Sequence, residues 1–117
     1  MAKAAADRAY RYARRQQLGR MCMPKIVEAN AGEALSLQYH HMKDETIMVL
    51  SGRMQLVFFA EGEEPKSREL GPREPFHVTP GLRHRMIAIE DTDVVEVSTP
   101  ELDDVVRLED RYGRSGT

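Results

Sequence analysis

Residues 37–52 read LQYHHMKDETIMVLSG: two adjacent histidines, then an acid at Glu45, then an apolar run ending on Ser51-Gly52. In an extended chain, residues two apart share a face, so His40 groups with Ser36 and Gln38, whereas His41 groups with Leu35, Leu37 and Tyr39. One set faces the interior and the other faces solvent. Either Gln38 and His40 or Tyr39 and His41 therefore share a space with Glu45. Much later, VTPGLRHRMIAI sets His84 just past Gly81, at the start of another extended run. An imidazole, a carboxylate and a distant second imidazole, projecting from separate strands, form the skeleton of a metal site.

Strands must position these groups. From Met23 onward the chain is a series of short β-like runs, expected over 24–29, 34–41, 45–50, 53–60, 66–70, 75–79, 83–90 and 93–98. Asn30-Ala31-Gly32, Ser51-Gly52, Glu61-Gly62-Glu63, Gly71-Pro72, Pro80-Gly81 and the polar 90–93 segment punctuate them. No alternation of strands with helices appears, so the reading is all-β, a small barrel or sandwich. Residues 1–22, rich in Ala and Arg, read as an N-terminal arm or helix, and 23–117 as the single folded domain. At the other end, Thr99, Pro100 and the acids Glu101, Asp103 and Asp104 carry helix-start signals, which predict a short C-terminal helix packing Leu102, Val105, Val106 and Leu108 on the barrel.

Composition narrows the classes of function. With 117 residues the chain holds one core, and its 17 basic and 19 acidic residues give a net charge of −2, without the basic excess of a nucleic-acid or membrane-surface protein. The single cysteine, Cys22, rules out an internal disulfide and makes a cytoplasmic setting the expectation. No stretch approaches the length of a membrane span.

QYHHMKDETIMVLSG and GPREPFHVTPGLRH together resemble the two motifs of the cupin superfamily. A narrower resemblance lies in LSLQYHHMKDE and in the closing EVSTPELDDVVRLEDRYGR, which are similar to the signatures of the cupin phosphomannose isomerases, found at the C-terminus of bifunctional mannose-6-phosphate isomerase/mannose-1-phosphate guanylyltransferases. That resemblance implies a jelly-roll barrel and a metal held by Gln38, His40, Glu45 and His84, with His41 as the outward neighbour. Two nitrogens and two oxygens suit one divalent ion among Zn, Mn, Fe, Co and Ni. It also implies an aldose–ketose isomerase acting on a sugar phosphate, which needs a base to move a proton between adjacent carbons. Glu96 and His77 are the candidates for that base, His77 having packing as its alternative role. Lys43, at a position that is basic in the signature, and Arg85 are candidate phosphate donors, although Arg85, next to His84, should point away. ARRQQLGRMCM, ahead of PKIVEA, departs from the KPWG-like start of small relatives. Two other functions fit the same skeleton: a cupin that binds or senses a small molecule without catalysis, and an iron-dependent dioxygenase. Exposed sheet edges in so small a barrel predict a homodimer.

Overall fold

The computed structural model describes residues 23–100 and 104–109. Its strands, in chain order, are β1 (Met23–Ala29), β2 (Leu37–Tyr39), β3 (Glu45–Ser51), β4 (Met54–Phe59), β5 (Lys66–Leu70), β6 (Pro75–Val78), β7 (Arg83–Ala88), β8 (Thr92–Ser98) and β9 (Val106–Glu109). They form two antiparallel sheets, ordered β1-β8-β3-β6 and β5-β4-β7-β2-β9. The described residues are all-β. The expected arm over 1–22, and with it the domain boundary, lies outside them.

Apolar side chains from both sheets meet between them. Ile47, Val49 and Val94 of the first sheet pack on Met54, Leu56, Leu70 and Met86 of the second, with Leu35, Phe58 and Phe76 against them. Burying one such side chain is worth about 1.5–3 kcal/mol, and this cluster holds the sheets at the separation the site needs. Strands β3 and β8 are buried on both faces: Thr46, Met48, Val95 and Val97 are as sheltered as Ile47 and Val94. That explains why their sequences, ETIMVLS and TDVVEVS, show an apolar run instead of clean alternation.

Two glycines fix turns at opposite ends of the barrel. Gly52 has a φ of 87°, and a Cβ there would lie 2.2 Å from the carbonyl oxygen of Asp91, so no other residue fits the β3–β4 hairpin. Gly81, with a φ of 84°, donates its N–H to the His40 carbonyl at 2.7 Å and ties the turn before β7 to the end of β2.

The tail departs from expectation. Residues 106–109 are a strand, β9, and the predicted C-terminal helix does not cover them; residues 101–103 lie outside the described set. The cause is non-local. β2 offers an edge with which β9 pairs, Gln38 opposite Arg107 and Tyr39 opposite Val106. Thr99 is not a free helix cap either: it is buried, its N–H donates to the Asp44 carbonyl at 3.0 Å, and its Oγ1 accepts from the Asp44 N–H at 3.1 Å. β2 itself is shorter than expected, reduced to three residues with an isolated bridge from Ala34 to Ile87.

Candidate metal centre

Sheet register decides which side chains meet. On one side Gln38 of β2 stands opposite His84 of β7 and opposite Arg107 of β9, so the three share the inner face of their sheet. On the other, Glu45 begins β3 beside Ser98 of β8, and Glu96 lies between Ile47 and Lys25. A cavity of about 230 Å³ opens between these rows, lined among others by Gln38, His40, Lys43, Glu45, Glu96 and Arg107.

At its inner end His40, Glu45 and His84 are all buried, each about 2% exposed. The Nε2 of His40 is 2.9 Å from Oε1 of Glu45, and the Nε2 of His84 is 3.4 Å from the same oxygen. Both rings are held from behind: Nδ1 of His40 donates to the Asp104 carbonyl at 2.5 Å, and Nδ1 of His84 donates to the Leu82 carbonyl at 3.0 Å. With Nδ1–H committed, a neutral imidazole carries its lone pair on Nε2, and both lone pairs then face one carboxylate oxygen. Three acceptors converging out of water need a cation among them, whether protons on the rings or a metal ion.

The spacing fits a metal. Donors about 2.0–2.2 Å from an ion, at tetrahedral or octahedral angles, sit about 3.0–3.4 Å from one another, close to the two Nε2–Oε1 separations. The three side chains can present ligand atoms all within 4.8 Å of one another, so this group could hold a metal ion. Nδ1–H bonded to a backbone carbonyl is also the usual bracing of a metal-bound histidine.

The titration of these groups follows from the same contacts. Burial alone would push Glu45 up, but the hydrogen bonds and charges of His40 and His84 hold its carboxyl well below the usual range. Burial disfavours the His40 imidazolium, yet the bond to Glu45 and its charge prevail and raise its pKa. Glu96 is pushed up to about 7, first by burial and then by the negative charge of Glu45, with Lys25, Lys43 and His84 opposing.

Of the residues singled out in the sequence, Gln38, His40, Lys43, Glu45 and Glu96 line the cavity, and His84 joins His40 and Glu45 at its end. Gln38 Oε1 accepts from Ser36 Oγ at 2.7 Å, which fixes the orientation of the amide. The alternative pair points elsewhere: Tyr39 lies under the Arg83 guanidinium, 3.9 Å from its ring centroid, and packs edge-on against the exposed His41. His77 is not in the cavity. It pairs with Thr46, whose side chain is on the opposite face from that of Glu45, and its Nε2 bonds Asp44 Oδ1 at 2.5 Å, an arrangement that suits the packing role. Arg85 also points away, its Nε to the Leu35 carbonyl and its Nη1 to Glu109.

Sequence reasoning passed over Asp104 and Arg107. The Asp104 carboxylate accepts the N–H groups of His41, Met42 and Lys43 at 2.9, 2.6 and 2.8 Å, and so clamps the loop between His40 and Glu45. Burial pushes its pKa up, but those three N–H groups together outweigh it and hold the carboxyl at about 2. Both residues sit in DVVRLED, which follows the helix-start signals of Thr99, Pro100 and Glu101 and reads with them.

Two sheets enclosing an end-on cavity with this His/Glu/His group make the fold a cupin fold, and the chain resembles the cupins of sugar metabolism. It is 34% identical over 95 residues to the mannose-1-phosphate guanylyltransferase ManC of Salmonella typhimurium, covering 77% of this chain and 19% of that protein. Against the xanthan biosynthesis protein XanB of Xanthomonas campestris it is 31% identical over 103 residues, 84% of this chain and 21% of the other. The chain thus spans about a fifth of the length of the curated relatives it matches. In three dimensions it is similar to the capsular polysaccharide assembling protein CapF from Staphylococcus aureus, with a TM-score of 0.65 at 21% identity over 77% of this chain and 29% of that one. No protein-family model matches the chain. Among the described residues, no helix is long and apolar enough to cross a membrane.

Proposed function

We propose that this protein is a metal-dependent aldose–ketose isomerase acting on a sugar phosphate, of the mannose-6-phosphate isomerase type. The observation that carries the reading is the convergence of two back-braced histidines on the buried carboxylate of Glu45. Similarity to proteins named for mannose-1-phosphate and xanthan chemistry supports the choice of substrate class. In this reading Gln38 supplies a fourth, neutral oxygen ligand beside His40, Glu45 and His84. A bound divalent ion, one of Zn, Mn, Fe, Co or Ni, would polarise the carbonyl of the sugar.

The chain supplies the remaining chemistry. Glu96 lines the cavity, where its carboxylate is placed to take a proton from one carbon of the substrate and return it to the next. Lys43, at the cavity wall, donates to an anionic group of the ligand. Removal of the sugar from water by Val27, Leu35, Met86 and Val105 strengthens both contacts. Among the described residues β1 is an outer strand of its sheet, with Ile26 49% exposed, which supports a homodimer.

The test is proton exchange in heavy water followed by NMR, with the protein reconstituted separately with each metal. Interconversion of mannose 6-phosphate and fructose 6-phosphate without oxygen is expected, together with its loss in His40→Ala. Absence of exchange with every metal and every hexose and pentose phosphate would remove the isomerase. Oxygen-dependent turnover with iron alone would replace it by a dioxygenase.

A further inference from the structure

We infer that Arg107 is the anchor for the phosphoryl group of the ligand, with Lys25 and Lys43 completing a cationic wall; the inference rests on the cavity being the substrate site proposed above. Arg107 lines the cavity, yet its Nε is buried without a hydrogen-bond partner among the described residues. A buried guanidinium nitrogen left unpaired is costly, and native structures rarely leave one without a purpose.

Three other arginines of the barrel are engaged. Arg53 pairs with Glu69, Arg83 covers the Tyr39 ring, and Arg85 takes both the carboxylate and the carbonyl of Glu109. That last contact removes the acid nearest to Arg107 on its own strand. Glu45 is held by two imidazoles, and Glu96 stands across from Lys25 on the other sheet. The wall therefore has three cationic side chains, Lys25, Lys43 and Arg107, against the two carboxylates of Glu45 and Glu96. A divalent ion held by His40, Glu45 and His84 would add to that excess, so the cavity favours an anion.

Position selects which part of the ligand is bound. Arg107, Gln38 and His84 lie in one row across β9, β2 and β7. Strands two apart in a sheet are separated by about 10 Å, roughly the span of an open-chain hexose 6-phosphate from carbonyl oxygen to phosphoryl oxygens. A sugar with its carbonyl at the histidines thus brings its phosphoryl group to Arg107, whose planar fork matches two phosphoryl oxygens.

Calorimetric titration with mannose 6-phosphate, inorganic phosphate and free mannose tests this on the metal-loaded and metal-stripped chain. Arg107→Gln is expected to weaken mannose 6-phosphate binding at least tenfold, to weaken inorganic phosphate likewise, and to leave free mannose and metal content unchanged. Arg107→Lys, which keeps the charge but not the fork, should lose at least threefold and carries the test if the glutamine variant does not fold. Unchanged mannose 6-phosphate binding in folded variants, an equal loss for the sugar with and without phosphate, or no phosphate binding by the wild type would each overturn the anchor. Arg107-dependent phosphate binding in a protein that shows no isomerisation would uphold the anchor and overturn the isomerase alone.

Discussion

Glu45→Gln keeps the volume of the side chain and one carbonyl oxygen but removes its charge. In the structure that charge is shared by two Nε2 atoms at 2.9 and 3.4 Å, in a position about 2% exposed. Loss of a group that merely supports a ligand costs 10–100-fold in metal affinity, so replacing an anionic ligand by a neutral one should cost about 100-fold or more. Stabilisation by bound metal follows from mass action. At a metal concentration about 100 times the wild-type Kd, binding adds about 2.7 kcal/mol, whereas the variant, then at its own Kd, gains about 0.4 kcal/mol. For a domain of this size 1 kcal/mol shifts Tm by roughly 4–8 °C, so metal should raise the wild-type Tm by about 10–20 °C and that of the variant by about 2–3 °C. Thermal melts with and without metal, read by circular dichroism, make the comparison. Equal shifts in the two proteins would refute a site centred on Glu45.

Asp104→Asn should cost about 1–2 kcal/mol at pH 7, because an amide holds the three loop N–H groups more weakly than a carboxylate; this is the pKa difference at 1.36 kcal/mol per unit, discounted for partial exposure. Its carboxyl is lower folded than unfolded, so this stability is present above about pH 4 and lost as pH falls through about 2; urea midpoints falling in parallel for both proteins over that window would count against the clamp. Gly52→Ala forces a side chain into a φ of 87° and against the Asp91 carbonyl, which should cost about 3 kcal/mol or more; a Tm within 2 °C of wild type would contradict it. His77→Phe breaks the bond to Asp44 on the face away from the cavity and should cost about 1–3 kcal/mol while sparing metal content and turnover; a tenfold loss of turnover with metal retained would return His77 to the list of bases.

Much of this was legible in the sequence because it depends on local spacing. The glycine turns at 52 and 81, and the strands between them, follow from backbone constraints carried by single residues. The facing of Gln38 and His40 follows from period-two geometry, and the choice of that pair over Tyr39 and His41 came from the resemblance to the phosphomannose isomerases. What the sequence hid was pairing at a distance. Thr99, Pro100 and the acids after them look like a helix start to any local rule, but β2 supplies an edge that residues 106–109 join as β9. That one pairing brings Arg107 to the cavity, and the same tail lends the Asp104 carboxylate to a loop more than sixty residues earlier. Which of its two roles His77 takes was hidden for a related reason: its strand was recognised, but its facing depends on the register between β6 and β3.

Anomalous X-ray scattering from crystals of the metal-loaded protein, measured at the absorption edge of that metal, addresses the metal centre itself. A single peak is expected about 2.0–2.2 Å from Nε2 of His40, Nε2 of His84 and a carboxylate oxygen of Glu45, with the Gln38 amide oxygen as the fourth ligand. No peak there at full metal occupancy, or a peak bound by other residues, would contradict the account.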